Sequence, residues 1–189
     1  MKERAKREKR ELVYAGAILD VYQDHMRLAN GKEEVWDYVA HRKGAAAVLA
    51  VREDGKLLMV RQYRNALDRE TLEIPAGARD SCTEPTIVCA ARELEEETGY
   101  RCDKLEFLIT VHTTVAFCNE AIDIYLAKNL IPSVQHLDEA ESIEVEAWDL
   151  EELCSMIYSG KLQDAKTVAA ILAYKNKICT PNSKEEVSH

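Results

Sequence analysis

Nowhere in its 189 residues does the chain have an apolar run long enough to span a bilayer, although 47% of it is apolar. The opening M-K-E-R-A-K-R-E-K-R lacks the apolar core of a signal peptide. Its six cysteines (Cys82, Cys89, Cys102, Cys118, Cys154 and Cys179) form no C-x-x-C pair and no zinc-like spacing with histidine. The expectation is a cytoplasmic protein in a reducing compartment, with thiols that are buried or incidental. The five histidines form no constellation in the sequence and receive no role. A basic excess is also missing. The net charge of −9 excludes a general duplex-binding surface, which needs clustered Lys and Arg to displace counterions, and no membrane partner is expected. There is no internal repeat and no low-complexity tract.

What is present reads as one α+β core with a small appendage. Asn30-Gly31 is a two-residue hairpin signal between V-Y-Q-D-H-M-R-L and E-E-V-W-D-Y-V-A, so residues 1–43 are read as a leader and a small β-hairpin unit. Residues 44–176 form the main domain. Strands are expected at 45–51, at 56–64 beyond the Asp54-Gly55 turn, and at 105–112, 121–127 and 142–148. A helix ending near Thr98 precedes the last three strands. Two more helices follow, at 150–158 and 167–174, the second capped by Asp164. Residues 177–189 read as a flexible tail.

The central helix carries the chemistry. Glu93, Glu96 and Glu97 stand at i, i+3 and i+4, so three carboxylates leave one helix face and repel one another unless a cation sits among them. Clustered hard oxygen donors suit Mg²⁺, with Mn²⁺ as an alternative, and such ions keep part of their shell for water and phosphate oxygens. Most acidic helix faces are merely solvated surface. Here the surroundings decide: Pro75-Ala76-Gly77 upstream, Arg92 directly before the run, and Gly99 as the helix stop.

Gly77, Glu84, Arg92, Glu93, Leu94, Glu96, Glu97, Gly99 and Tyr100 together resemble the Nudix box. One departure is an extra residue, six instead of five, between Gly77 and Glu84; the seven-residue gap from Glu84 to Arg92 is kept, which places the insertion in the loop. The resemblance covers residues 13–174 and implies an α/β/α sandwich around a mixed β-sheet. Within the family the chain is similar to the ADP-ribose and ADP-sugar pyrophosphatases, through V-R-Q-Y-R ending at Arg64, E-I-P-A-G ending at Gly77, and D-A-K-T beginning at Asp164. That likeness implies a homodimer joined through the N-terminal unit and a small-molecule nucleotide-sugar substrate.

The implied reaction is attack of a metal-activated water on a diphosphate, ADP-ribose giving AMP and ribose 5-phosphate. By resemblance, Glu93 and Glu97 are metal ligands, Glu96 is a ligand or an immediate neighbour of the metal shell, and the Ala76 carbonyl adds an oxygen. Arg92 orients a carboxylate. Glu84 is read equally as structural or functional, since an acid before a helix is favoured by its dipole. The general base is Glu141 or Glu120, with Glu141 preferred. Trp36 either stacks on the base or packs in the core. Arg64 either contacts the diphosphate or makes a surface ion pair. Val115 stands where the ADP-ribose subgroup has proline, which leaves GDP-mannose, other ADP-sugars and FAD as alternative substrates. A non-catalytic sensor is the competing class, disfavoured because all three helix carboxylates are retained.

Overall fold

Cross-strand charge pairing builds the first strand out of residues that look like a polar leader. The computed structural model describes residues 4–137 and 142–179. β1 (Lys6–Ala15), β2 (Leu19–Arg27) and β3 (Glu33–His41) form an antiparallel three-stranded sheet. Arg10 grips the buried Asp24 through two bonds of 2.6 Å and lies 3.8 Å over the Tyr38 ring, while Arg27 reaches Glu8 at 2.6 Å. The unit is therefore a three-stranded sheet beginning at Lys6, more than the expected hairpin.

Its turn also differs from a two-residue hairpin. The N–H of Leu28 donates to the Lys32 carbonyl, that of Gly31 to the Leu28 carbonyl, and Gly31 takes a φ of 81°. The same pair of bonds recurs at Arg52, Gly55 and Lys56. In both turns a side chain (Asn30, Asp54) accepts from the following lysine N–H, at 3.1 and 3.2 Å. The longer loop wins because the left-handed glycine after a short turn continues the strand twist, and the Asx oxygen satisfies one more donor.

The main sheet comprises β4 (Ala45–Val51), β5 (Leu57–Arg64), β6 (Arg69–Glu73) and β7 (Ala76–Ala78), joined after α1 (Thr86–Thr98) and the short β8 (Tyr100–Arg101) by β9 (Leu105–His112) and β10 (Ala121–Ala127). β11 (Ile131–Pro132) pairs with β8, and β12 (Ile143–Trp148) closes one edge before α2 (Leu150–Tyr158) and α3 (Ala165–Cys179). The order β12-β5-β4-β10-β9 contains one parallel pair, β4 with β10. It is a mixed sheet.

β4, A-A-A-V-L-A-V, is buried along its whole length, and its alternation divides the core. Ala45, Ala47 and Leu49 face a cluster containing Leu153, Ala170 and Ile171 of α2 and α3. Ala46, Val48 and Ala50 face Cys89, Ala90 and Leu94 of α1. Two helices on one face and one on the other give the α/β/α sandwich. α3 starts at Ala165, Asp164 accepting the Thr167 N–H at 3.1 Å, and runs beyond Tyr174 into residues expected to be tail. Among the described residues no helix is long and apolar enough to cross a membrane.

Candidate active site

α1 begins without a side-chain cap. Thr86 turns its hydroxyl to Asp123 and Tyr125, both at 2.8 Å, which ties the helix start to β10. The helix ends on Gly99, whose φ of 69° permits the left-handed cap. Between these ends Glu93 and Glu97 are buried at 8% and 4% exposure, an unusual place for carboxylates.

Two features make room for them. Gly77 in β7 has no Cβ, and one placed there would lie 2.2 Å from the Glu93 carboxylate. A side chain at that position would displace the Glu93 carboxylate. Beside it, the Ala76 N–H donates to Glu97 Oε2 at 2.9 Å. Arg92 Nη1 donates to Glu93 Oε1 at 2.7 Å and to Glu96 Oε2 at 2.8 Å, and its Nη2 reaches the Ala78 carbonyl at 2.9 Å. Burial alone would lower the Arg92 pKa, but Glu93 and Glu96 push it well above its ordinary value. The neighbouring Cys89 thiol is pushed up to about 11 by burial and is an inert packing group.

Among the described residues no three carboxylate, imidazole or thiol groups converge on one point. Arg92 occupies the space between Glu93 and Glu96, and Glu97 is turned to the Ala76 N–H. The donor set nevertheless fits a hard divalent cation: carboxylates on successive helix turns, a carbonyl-bearing loop alongside, and a cradle at Gly77 that a Cβ would take from the Glu93 carboxylate.

Glu84 fastens the inserted loop. Its Oε2 accepts the Asp80 N–H at 2.7 Å and its Oε1 lies 3.6 Å from Arg92 Nε, while Arg79 Nε holds the Glu84 carbonyl at 2.6 Å. The extra residue is absorbed in this loop, and the Glu84 to Arg92 register survives.

A cleft of about 640 Å³ opens beside the helix loop, lined by Arg64, Glu73, Ala76, Gly77, Glu120 and Lys166 among others. The α1 carboxylates adjoin it through Ala76 and Gly77. Arg64 is occupied by Glu73, with Nε to Oε1 and Nη2 to Oε2 both at 2.7 Å. Lys166 also donates to Glu73, and to Asp164 at 2.9 Å, while Thr71 donates to Glu73 at 2.6 Å. Burial raises the Glu73 carboxyl, but the Arg64 fork and then Lys166 outweigh it and bring it down to about 2. The ion pair of Arg64 is thus with a buried partner at the cleft wall.

Glu120 lies in the cleft wall, its Oε2 accepting the Thr113 hydroxyl at 2.9 Å. Glu141 lies outside the described residues. Trp36 is 45% exposed, which rules out the core reading; its Nε1 donates to Glu34 at 3.1 Å. Within one chain Trp36 lines a different hollow, with Phe117 and the exposed Val115, so the cleft of Arg64 and Glu120 does not include it. Sequence reasoning missed His41, Glu73 and Lys166. Lys166 stood in the D-A-K-T segment as a signal, whereas His41 offered none, its partner being distant in sequence.

The family model described as "NUDIX domain" matches residues 40–171. An ADP-ribose pyrophosphatase of Bacillus subtilis (strain 168) is 40% identical over 164 residues, 86% of this chain and 88% of that protein. A methanol dehydrogenase activator of Bacillus methanolicus is 37% identical over 165 residues, again 86% and 88%. A crystal structure of an ADP compounds hydrolase superposes with a TM-score of 0.82, covering 95% of this chain and 96% of that one at 22% identity, which speaks for the fold.

Proposed function

The chain belongs to the Nudix family, and on that premise we propose that it hydrolyses the diphosphate of a nucleoside diphosphate sugar, ADP-ribose first, to AMP and ribose 5-phosphate. The observation that carries this reading is the acidic face of α1 seated on Gly77, where the missing Cβ leaves space for the Glu93 carboxylate. The similarity to an ADP-ribose pyrophosphatase along 86% of the chain supports the choice of substrate.

Glu93, Glu96, Glu97 and the Ala76 carbonyl would hold Mg²⁺, or Mn²⁺ in its place. When bound, such an ion neutralises phosphate charge and lowers the pKa of its water. The chain's own residues do the rest. Arg92 aligns the Glu93 and Glu96 carboxylates through one nitrogen, and Glu73 holds the Arg64 guanidinium at the cleft wall, where a diphosphate oxygen meets it. The proton of the attacking water goes to Glu141 or Glu120, of which Glu120 lines the cleft and Glu141 lies outside the described residues. Trp36 would stack on the nucleobase where a homodimer brings the hollow it shares with Phe117 beside the partner chain's cleft. The reaction runs in the cytoplasm.

The experiment incubates the purified protein with Mg²⁺ and a panel of ADP-ribose, GDP-mannose, other ADP-sugars and FAD, separating products by ion-exchange chromatography. ADP-ribose is expected to give AMP and ribose 5-phosphate fastest. Binding of ADP-ribose with no hydrolysis of any panel member, with Mg²⁺ or with Mn²⁺, would replace the enzyme by a sensor.

A further inference from the structure

The end of β3 and the loop after β9 meet inside the cleft, and their meeting fixes one imidazole. The Gly44 N–H donates to His41 Nδ1 at 3.1 Å. A backbone N–H can only donate, so Nδ1 is the unprotonated nitrogen, and the ring proton sits on Nε2. Nε2 lies 3.6 Å from Glu120 Oε1. The other carboxylate oxygen accepts the Thr113 hydroxyl. Both side chains are largely shielded, His41 at 16% and Glu120 at 23% exposure. The backbone secures each half: the His41 N–H donates to Asn119 Oδ1 at 2.7 Å, and the Asn119 N–H to the Val39 carbonyl at 3.3 Å. Gly44 holds its own pose with a φ of 73°, the left-handed region that suits glycine.

We propose that His41 is a positioning residue for Glu120. Gly44 selects the ring tautomer, the Nε2 proton faces one carboxylate oxygen, Thr113 holds the other, and the remaining lone pairs are aimed into the cleft where a water is deprotonated. This rests on Glu120, rather than Glu141, being the base of the reaction proposed above. A carboxylate free to rotate would spend most of its time in unproductive orientations, and loss of orientation costs roughly 10- to 100-fold in turnover.

Two near-isosteres separate the halves of the device. Asn at position 41 can accept from Gly44 but offers no donor toward Glu120, whereas Gln extends an amide N–H to about the place of Nε2. With Mg²⁺ and ADP-ribose, His41→Asn is expected to lower kcat roughly 10- to 100-fold at unchanged KM, and His41→Gln to recover most of it. In a Glu120→Gln background His41→Asn should cost nothing more, because the group it positions is gone. The ¹⁵N spectrum of the wild type should show His41 as the neutral Nε2–H tautomer, with its Nε2 signal displaced in Glu120→Gln. Equal losses in Asn and Gln variants, a full additional loss in the Glu120→Gln background, or His41 signals indifferent to Glu120→Gln would each overturn the positioning role. A wild-type rate for Glu120→Gln, with His41 signals that do respond, would instead defeat the base assignment.

Discussion

At the scale of single residues the most informative group is Glu73, a carboxylate with 2% exposure that accepts from Arg64, Lys166 and Thr71. Its folded-state pKa, about 2, lies below the ordinary glutamate value of 4.5. A carboxyl depressed by folding contributes stability that is fully present above the unfolded value and is lost as pH falls through the folded one. Chemical denaturation from pH 6 down to pH 2 should therefore show wild-type stability declining more steeply than that of Glu73→Gln between about 4.5 and about 2. At neutral pH the Gln variant should be weaker by about 3–5 kcal/mol, since Lys166 and Arg64 lose their charged partner. Parallel curves would mean that Glu73 is not held ionised. Much at this scale was hidden in the sequence. Glu93, Glu96 and Glu97 were legible because helical spacing alone puts them on one face. Glu73 and Lys166, like His41 and Glu120, are joined by the packing of distant segments, which no local pattern announces.

For the elements, α1 is the instructive case. It carries its acids in the second half, with no basic residue in its last turn and no acid in its first. This opposes the helix dipole, whose negative end favours cations, at a cost of roughly 0.3–1 kcal/mol per misplaced charge. Sequences break local rules of this kind at functional sites. Adding millimolar Mg²⁺ should raise the melting temperature of the wild type, and raise that of Glu97→Gln less, while the Gln variant loses hydrolysis by orders of magnitude. Differential scanning fluorimetry decides it: equal shifts in the two proteins exclude Glu97 from the cation site. Most element boundaries were readable from periodicity, β4 and α2 among them. β1 was not, because its residues become a strand through charge pairs with β2, as with Arg10 and Asp24 or Glu8 and Arg27. The Asn30-Gly31 turn was identified in place but not in length, since the hydrogen bonds that widen it depend on the Asx side chain.

The whole molecule leaves Leu12, Val13, Tyr14, Ile18 and Val35 exposed on or beside the N-terminal sheet. Several large apolar side chains on one small sheet suit an interface with another chain. We expect a homodimer through this sheet, with the standard interface of about 1,600 Å². Sedimentation velocity should give roughly twice the chain mass, and Val13→Asp combined with Val35→Asp should return it to one. A concentration-independent monomer in the wild type would remove the dimer from the picture.

The floor of the cleft has a further consequence for how the protein comes to life. Ile74, directly before the helix loop, donates its N–H to the Thr167 hydroxyl at 3.0 Å, and Glu73 receives Lys166 from the same late segment. Both partners sit at the start of α3, the final described element. During synthesis the strands and α1 emerge first, while the groups that complete the floor of the cleft follow later. A nascent chain can thus form the acidic helix long before it can hold Glu73 and Ile74 in place. A chain cut short of Ala165 is therefore expected to form the acidic helix yet leave the substrate untouched, and an activity assay on that truncation decides it.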